Sequence, residues 1–183
     1  MAAVASPAVV PGSGERLRQA AVELFSRDGY HGVSLRRLAS VVGLLPGSLY
    51  HHVEGKQELL FELIEDYELD VLQLLKAAAG KRRSRQAPPE LLADYLALVQ
   101  AQRLSAQVAH HEFRHLNPAQ QTRIRTLRRQ QVHVLSDVLS RDGRQRGVAL
   151  EGLAQLLLAA PHAQPEDAVV SDTAGLVMEL LRR

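Results

Sequence analysis

The chain has 183 residues, with 22 Lys and Arg against 20 Asp and Glu, eight His and no Cys. That length suits one or two small domains with a real core, and 46% hydrophobic against 23% charged residues is globular rather than disordered composition. The absence of cysteine excludes disulfides, thiolate metal sites and a cysteine nucleophile, and no stretch approaches the roughly 18 uninterrupted apolar residues of a membrane span.

In chain order, residues 1–14 (MAAVASPAVVPGSG) lack a basic start and are broken by Pro7 and Pro11, so they read as a disordered arm, not a signal peptide. From there the apolar residues fall almost everywhere at helical spacing. A helix over about 15–28 carries Leu17, Ala20, Ala21, Leu24 and Phe25 on one face and stops at Asp28-Gly29. A second, about 34–42, opens on Ser34 as N-cap, and after Gly43 a short third covers about 46–52. A long helix over 56–79 aligns Leu59, Leu60, Leu63, Ile64, Tyr67, Val71, Leu74 and Leu75. The basic, Pro-terminated run 80–89 is the clearest change of composition, and Pro89 suits the first turn of the helix after it. Further helices are expected over about 105–116, 118–141 (N-capped by Asn117, with Pro118 at its first position), 148–160 and 166–182. With no strand alternation longer than four residues, the chain is all-α, with about nine helices.

Three short helices with a Gly turn between the second and third have the shape of a helix-turn-helix. The third helix would enter the major groove and offers Pro46, Gly47, Ser48, Tyr50, His51 and His52, while Leu49 and Val53 face inward. Gly47 and Ser48 allow close approach, and Tyr50 and His51 can reach phosphates or base edges. Charge is divided in the same sense. Residues 16–56 hold six Lys and Arg against three acids, and 57–70 hold Glu58, Glu62, Glu65, Asp66, Glu68 and Asp70 with no base. A positive tip on a negative shaft would point that end at DNA; three solvated helices with ordinary surface charge explain the charge alone equally well.

The segments Arg16-Leu17-Arg18-Gln19-Ala20-Ala21-Val22-Glu23-Leu24-Phe25, Gly29-Tyr30-His31-Gly32-Val33-Ser34-Leu35, Leu38-Ala39, Val42-Gly43, Gly47-Ser48-Leu49-Tyr50-His51-His52 and Lys56-Gln57-Glu58-Leu59-Leu60 resemble the N-terminal domain of TetR-type transcriptional regulators. The resemblance covers about 15–67. It implies that Ser34 and Arg36 meet the phosphate backbone, Gly47, Ser48 and His51 face the groove, Tyr50 contacts a phosphate and Lys56 clamps one. Val53 stands where the family usually has Phe, and the turn Gly43-Leu44-Leu45-Pro46 is unusually apolar. On that turn Leu45 and Pro46 are candidates to touch thymine methyls, with inward packing the more ordinary role for Leu45. The implied division is a helix-turn-helix domain over 15–55 and a C-terminal helical domain over 56–183 for ligand binding and dimerisation. The implied partners are a palindromic double-stranded DNA operator, a small-molecule effector and a second copy of the chain, in the cytoplasm; no cofactor or metal is implied.

The last two helices fit a dimer seam on their own pattern. Leu153, Leu156 and Leu157 lie on one stripe and Leu176, Val177 and Leu180 on another, together half of a four-helix bundle, with intrachain packing the alternative. Candidate effector contacts are Tyr95, Gln102, His111, Phe113, Arg114 and His115, which mix apolar with polar groups as pockets do, although each also fits a plain core. His111-Glu112-Phe113-Arg114-His115-Leu116 with Asn117-Pro118 faintly resembles a TetR branch that senses CoA thioesters, with Arg114, Arg123, Arg125, Arg128 and Arg129 for its phosphates or simply as a solvated face. The competing reading is a zinc-dependent hydrolase, since His111-Glu112-x-x-His115 on a helix puts two His one turn apart with Glu112 as general base. It lacks a third ligand and an edge strand, and a non-catalytic metal or anion site at His110, His111 or His115 is the milder version. No Walker loop, G-x-S-x-G or dinucleotide fingerprint is present.

Overall fold

The computed structural model describes residues 12–80, 87–140 and 148–159. Among these are eight α-helices, one 3-10 turn and no strand. Helix α1 (Ser13–Gly32) begins two residues earlier than expected, and Gly29, at φ 70° and ψ 165°, interrupts it where Asp28-Gly29 was expected to end it. Only Gly tolerates that backbone at no steric cost. The expected arm therefore lies outside the described residues except at 12–14, of which Ser13 and Gly14 are helical.

Helix α2 (Leu35–Val42) is capped by Ser34, whose Oγ accepts from the Arg37 N–H at 3.2 Å. It ends at Gly43, in the left-handed region at φ 71°, and the Leu44 N–H donates to the Ala39 carbonyl at 2.9 Å. Helix α3 is only Pro46–Leu49, so Tyr50, His51 and His52 sit in the turn that follows and not on the helix itself. Helix α4 (Lys56–Gly80) is the long axis, packed against α1, α5 (Ala87–Ala101), α6 (Arg103–His111) and α7 (Pro118–Leu139). Asn117 and Gln120 form a reciprocal capping box at the start of α7. Helix α8 (Val148–Ala159) packs on α7 and buries Ala154 and Leu157. The final helix expected over 166–182, with Leu176, Val177 and Leu180, lies outside the described residues.

The segment expected as one helix over 105–116 is broken. Helix α6 stops at His111, Glu112 caps it, and Phe113–His115 form a 3-10 turn. The cause is tertiary. The buried Glu112 carboxylate turns back to accept from the Tyr30 backbone N–H at 3.0 Å, which fixes the chain direction at the end of α1.

The acidic face of α4 is neutralised from both sides. Arg18 of α1 pairs with Glu62 (2.6 Å) and with Asp66, Arg123 of α7 pairs with Glu65 (2.6 Å), and Arg128 of α7 pairs with Glu68 (2.6 Å). Half-exposed pairs of this kind contribute modestly. Glu68 differs because it is only 4% exposed. It also accepts from Gln131 at 2.8 Å, while Arg128 donates to the Ala109 carbonyl at 2.8 Å. A buried carboxylate left without its cation is costly. Arg128→Met should therefore lower unfolding free energy by about 3 kcal/mol, and Glu68→Gln added to it should cost less than the two single changes summed. Strictly additive losses in denaturant titrations would show that the pair is not coupled.

Candidate nucleic-acid interface

The N-terminal three helices close over Leu17, Phe25, Leu38, Leu49 and Val53, all at most 6% exposed. Val53 therefore fills the inward position expected of it. With Leu49 and Val53 inside, the opposite side of α3 faces solvent. Gly47 and His51 are exposed, Tyr50 is 64% exposed, Ser48 is half-buried, and a Cβ built on Gly47 would meet nothing within 4 Å. Pro46 begins the helix. His52 lies 3.2 Å from the Ser13 hydroxyl, tying the turn to the start of α1.

One expectation is overturned here. Leu45 does not pack inward; it is 75% exposed, because its neighbour Leu44 takes the half-buried position against the core.

The cations are unevenly engaged. Arg37 pairs with Asp28 at 2.7 Å and reaches the Gly32 carbonyl, and Arg27 also binds Asp28, whose carboxyl is held below its ordinary range chiefly by that Arg27 hydrogen bond. Arg36 is exposed, with no ion pair or hydrogen bond among the described residues. Lys56 is turned partly inward: its Nζ donates to the Tyr30 and Val33 carbonyls at 2.9 Å each and stands 4.1 Å from the Tyr30 ring centroid. Burial holds this amine below the usual lysine value. Two of its three protons are committed, so Lys56 closes the break after α1 as well as standing at the start of α4.

Behind the head (α1 to α3), the same break docks on the body (α4 to α8). His115 stacks on Tyr30 with centroids 5.4 Å apart, meets His31 edge-on at 4.4 Å and lies 3.5 Å from Glu112; Gln107 and Gln57 add hydrogen bonds across the junction. The spacing of His111 and His115 therefore does not make a shared metal face. His111 is exposed against His110, His115 sits at the junction, Glu112 is used as an acceptor, and no cluster of three His, Cys, Asp or Glu suited to a metal exists among the described residues.

A cavity of 260 Å³ lies between α4, α5, α6, α7 and α8. Its apolar wall includes Val71, Ala106, Ala109 and Leu158, and its polar edge is Glu68, His110, Arg128 and Gln131. Of the expected effector contacts, Tyr95 lines it and donates to the Leu158 carbonyl at 2.8 Å. The other five lie elsewhere, chiefly because α6 ends early. Phe113 packs beside Arg128 and Arg125, Arg114 and His111 are exposed, His115 is at the junction, and Gln102 bonds Asp70 in an open cleft beside α1. Glu68 and Gln131 were readable in principle. Each interrupts an otherwise apolar stripe, Ile64-Glu68-Val71-Leu75 on α4 and Ile124-Leu127-Gln131-Leu135 on α7. On α8, Leu157 is buried within its own chain, Leu153 is half-buried and Leu156 is 63% exposed.

Residues 17–63 match the family model described as bacterial regulatory proteins, tetR family. The chain is 34% identical over 53 residues to the HTH-type transcriptional repressor KstR2 of Mycolicibacterium smegmatis, an overlap of 29% of this chain and 26% of that relative's length. In fold it is similar to a tetR-family regulatory protein from Rhodococcus RHA1 (TM-score 0.76, 23% identity, covering 94% of this chain and 96% of that one). It is also similar to AibR, solved in complex with isovaleryl coenzyme A and operator DNA (TM-score 0.67, 18% identity, covering 90% and 97%). No helix among the described residues is long and apolar enough to cross a membrane.

Two outcomes follow from the geometry. Gly47→Ala should raise stability by about 0.5–1 kcal/mol, since Ala favours helix over Gly and the space is open, yet weaken DNA binding by keeping the backbone off the groove; equal DNA affinity would remove Gly47 from the interface. His115 is held below the ordinary histidine value by burial first and then by His31, with Glu112 opposing and Arg114 and Lys56 adding to the depression. Its neutral form is the one the fold prefers, so the stability it contributes is complete above the unfolded value of about 6.5 and is lost as pH falls from there through its lower folded value. Thermal unfolding midpoints should therefore drop less between about pH 7 and about pH 5.5 in His115→Gln than in the wild type; an identical drop would exclude His115 as a source. Residues 17–63 thus match the domain of bacterial regulatory proteins of the tetR family, and the described residues adopt a fold similar to that of tetR-family structures.

Proposed function

We propose that the chain is a repressor that binds a palindromic operator as a homodimer and is released by a small, largely apolar effector. In this reading residues 15–55 form the reading head, and 56–183 bind the effector and pair with a second copy. The observation that carries it is the outer side of α3, where an exposed Gly in open space, a half-buried Ser and the outward Tyr50 and His51 leave a side that fits a groove. Pro46, Gly47, Ser48 and His51 face the bases. Ser34, Arg36 and Tyr50 meet phosphates, and Lys56 offers a phosphate its one uncommitted proton. Leu156, exposed on α8, supports pairing there.

The cavity lined by Tyr95 is the effector site. Its 260 Å³ falls below the roughly 300–1,000 Å³ of pockets for drug-sized ligands, so the enclosed group is small. AibR was solved with isovaleryl coenzyme A and operator DNA; here an acyl group fits inside, with Arg114 on the 3-10 turn and Arg125 and Arg129 on α7 exposed for anionic groups, whereas Arg123 and Arg128 are engaged by α4 carboxylates. Ala106, Ala109 and His110 of α6 form part of the cavity wall, and Glu112, at the end of that helix, grips the Tyr30 N–H. An effector that displaces α6 would therefore move the head, and differential affinity for the two positions is what releases DNA.

Selection from random duplex DNA should enrich a palindrome whose affinity falls steeply with salt. On it, Arg36→Ala should weaken every sequence alike and make the log–log salt slope shallower by about 1. A folded protein that enriches nothing overturns the reading.

A further inference from the structure

Leu45 is out of place by two local rules. It occupies the N-cap of α3, where Ser, Thr, Asp or Asn would satisfy a helix N–H and Leu makes no such bond. It is also 75% exposed, the most exposed of the large apolar residues among those described, although Leu44 beside it packs against the core. A position that gives up both a cap and apolar burial is where function is expected to override local preference. The side chain is not part of the apolar core. It stands at the leading end of α3, immediately before Pro46, Gly47 and Ser48, on the element that the proposed function puts in the major groove. The apolar group displayed in that groove is the C5-methyl of thymine.

We propose that Leu45 is a specificity-determining residue that reads a thymine methyl in each half-site of the operator. The assignment rests on the DNA-binding reading above. It adds that a part of the sequence preference is apolar, carried by a residue of the turn and not by hydrogen bonds from α3. The Leu45 backbone fits this role, because its carbonyl accepts from the Ser48 N–H at 2.9 Å and fixes the direction in which the side chain leaves the helix end.

The test uses the full chain and the palindrome recovered by selection, with each thymine of a half-site replaced singly by deoxyuridine, which removes only the methyl. Wild-type protein should lose about fourfold in affinity per half-site at one position, the worth of about one buried methyl group. With Leu45→Ala the thymine and deoxyuridine duplexes should bind equally at that position, while sensitivities elsewhere persist. Leu45→Ser, which restores a capping side chain, should unfold at a higher temperature than the wild type and lose the same methyl preference. If the palindrome is bound but no methyl sensitivity depends on Leu45, this assignment falls and the DNA-binding reading stands. If no palindrome is enriched, both fall together.

Discussion

Six carboxylates within fourteen residues of α4 have to be answered by hydrogen bonds or charge before that helix can be packed on more than one side, and the answer comes from the other helices. Arg18 reaches Glu62 and Asp66 from α1; Arg123 and Arg128 reach Glu65 and Glu68 from α7; Gln120 and Gln102 bond Glu58 and Asp70. Each contact on the exposed side is worth little alone. Together they let one helix bear on the head through α1 and on the body through α7, with Leu59, Leu60, Ile64, Val71 and Leu75 buried between them.

The buried member of that set also connects the body's cavity to the head. Glu68 and Arg128 line the cavity, Arg128 bonds the carbonyl of Ala109 on α6, and three residues later Glu112 holds the Tyr30 N–H. Tyr30 in turn carries Lys56 over its ring and His115 stacked on it. The Gly29 break is what makes this possible, since it redirects the chain so that a backbone N–H of the head is presented to a carboxylate of the body. The head is thereby held by directed bonds and stacked rings in addition to the continuous apolar core that α1 shares with α4 and α6.

Much of this was legible in the sequence. The helical stripes, the caps at Ser34 and Asn117, the stop at Gly29 and the outward residues of α3 follow from spacing and local chemistry. What was not legible depends on pairs distant in sequence. The arginines of α7 had no visible partner because their carboxylates lie on another helix, and the acidic run of α4 read as a bare shaft for the same reason. The apparent zinc motif depended on helical continuity through Glu112, which a bond to Tyr30 abolishes. For Leu45 inward packing was the more ordinary expectation beside a thymine-methyl contact, and its 75% exposure shows that the usual rule for apolar residues does not hold there.

The central claim is that α3 is the element presented to DNA, in two copies. Hydroxyl-radical footprinting of the full chain on a duplex recovered by selection tests it most directly. The account predicts two protected patches on one face of the duplex, symmetric about its centre and about one helical turn or a whole multiple apart. A single patch, or uniform protection along the duplex, would contradict it.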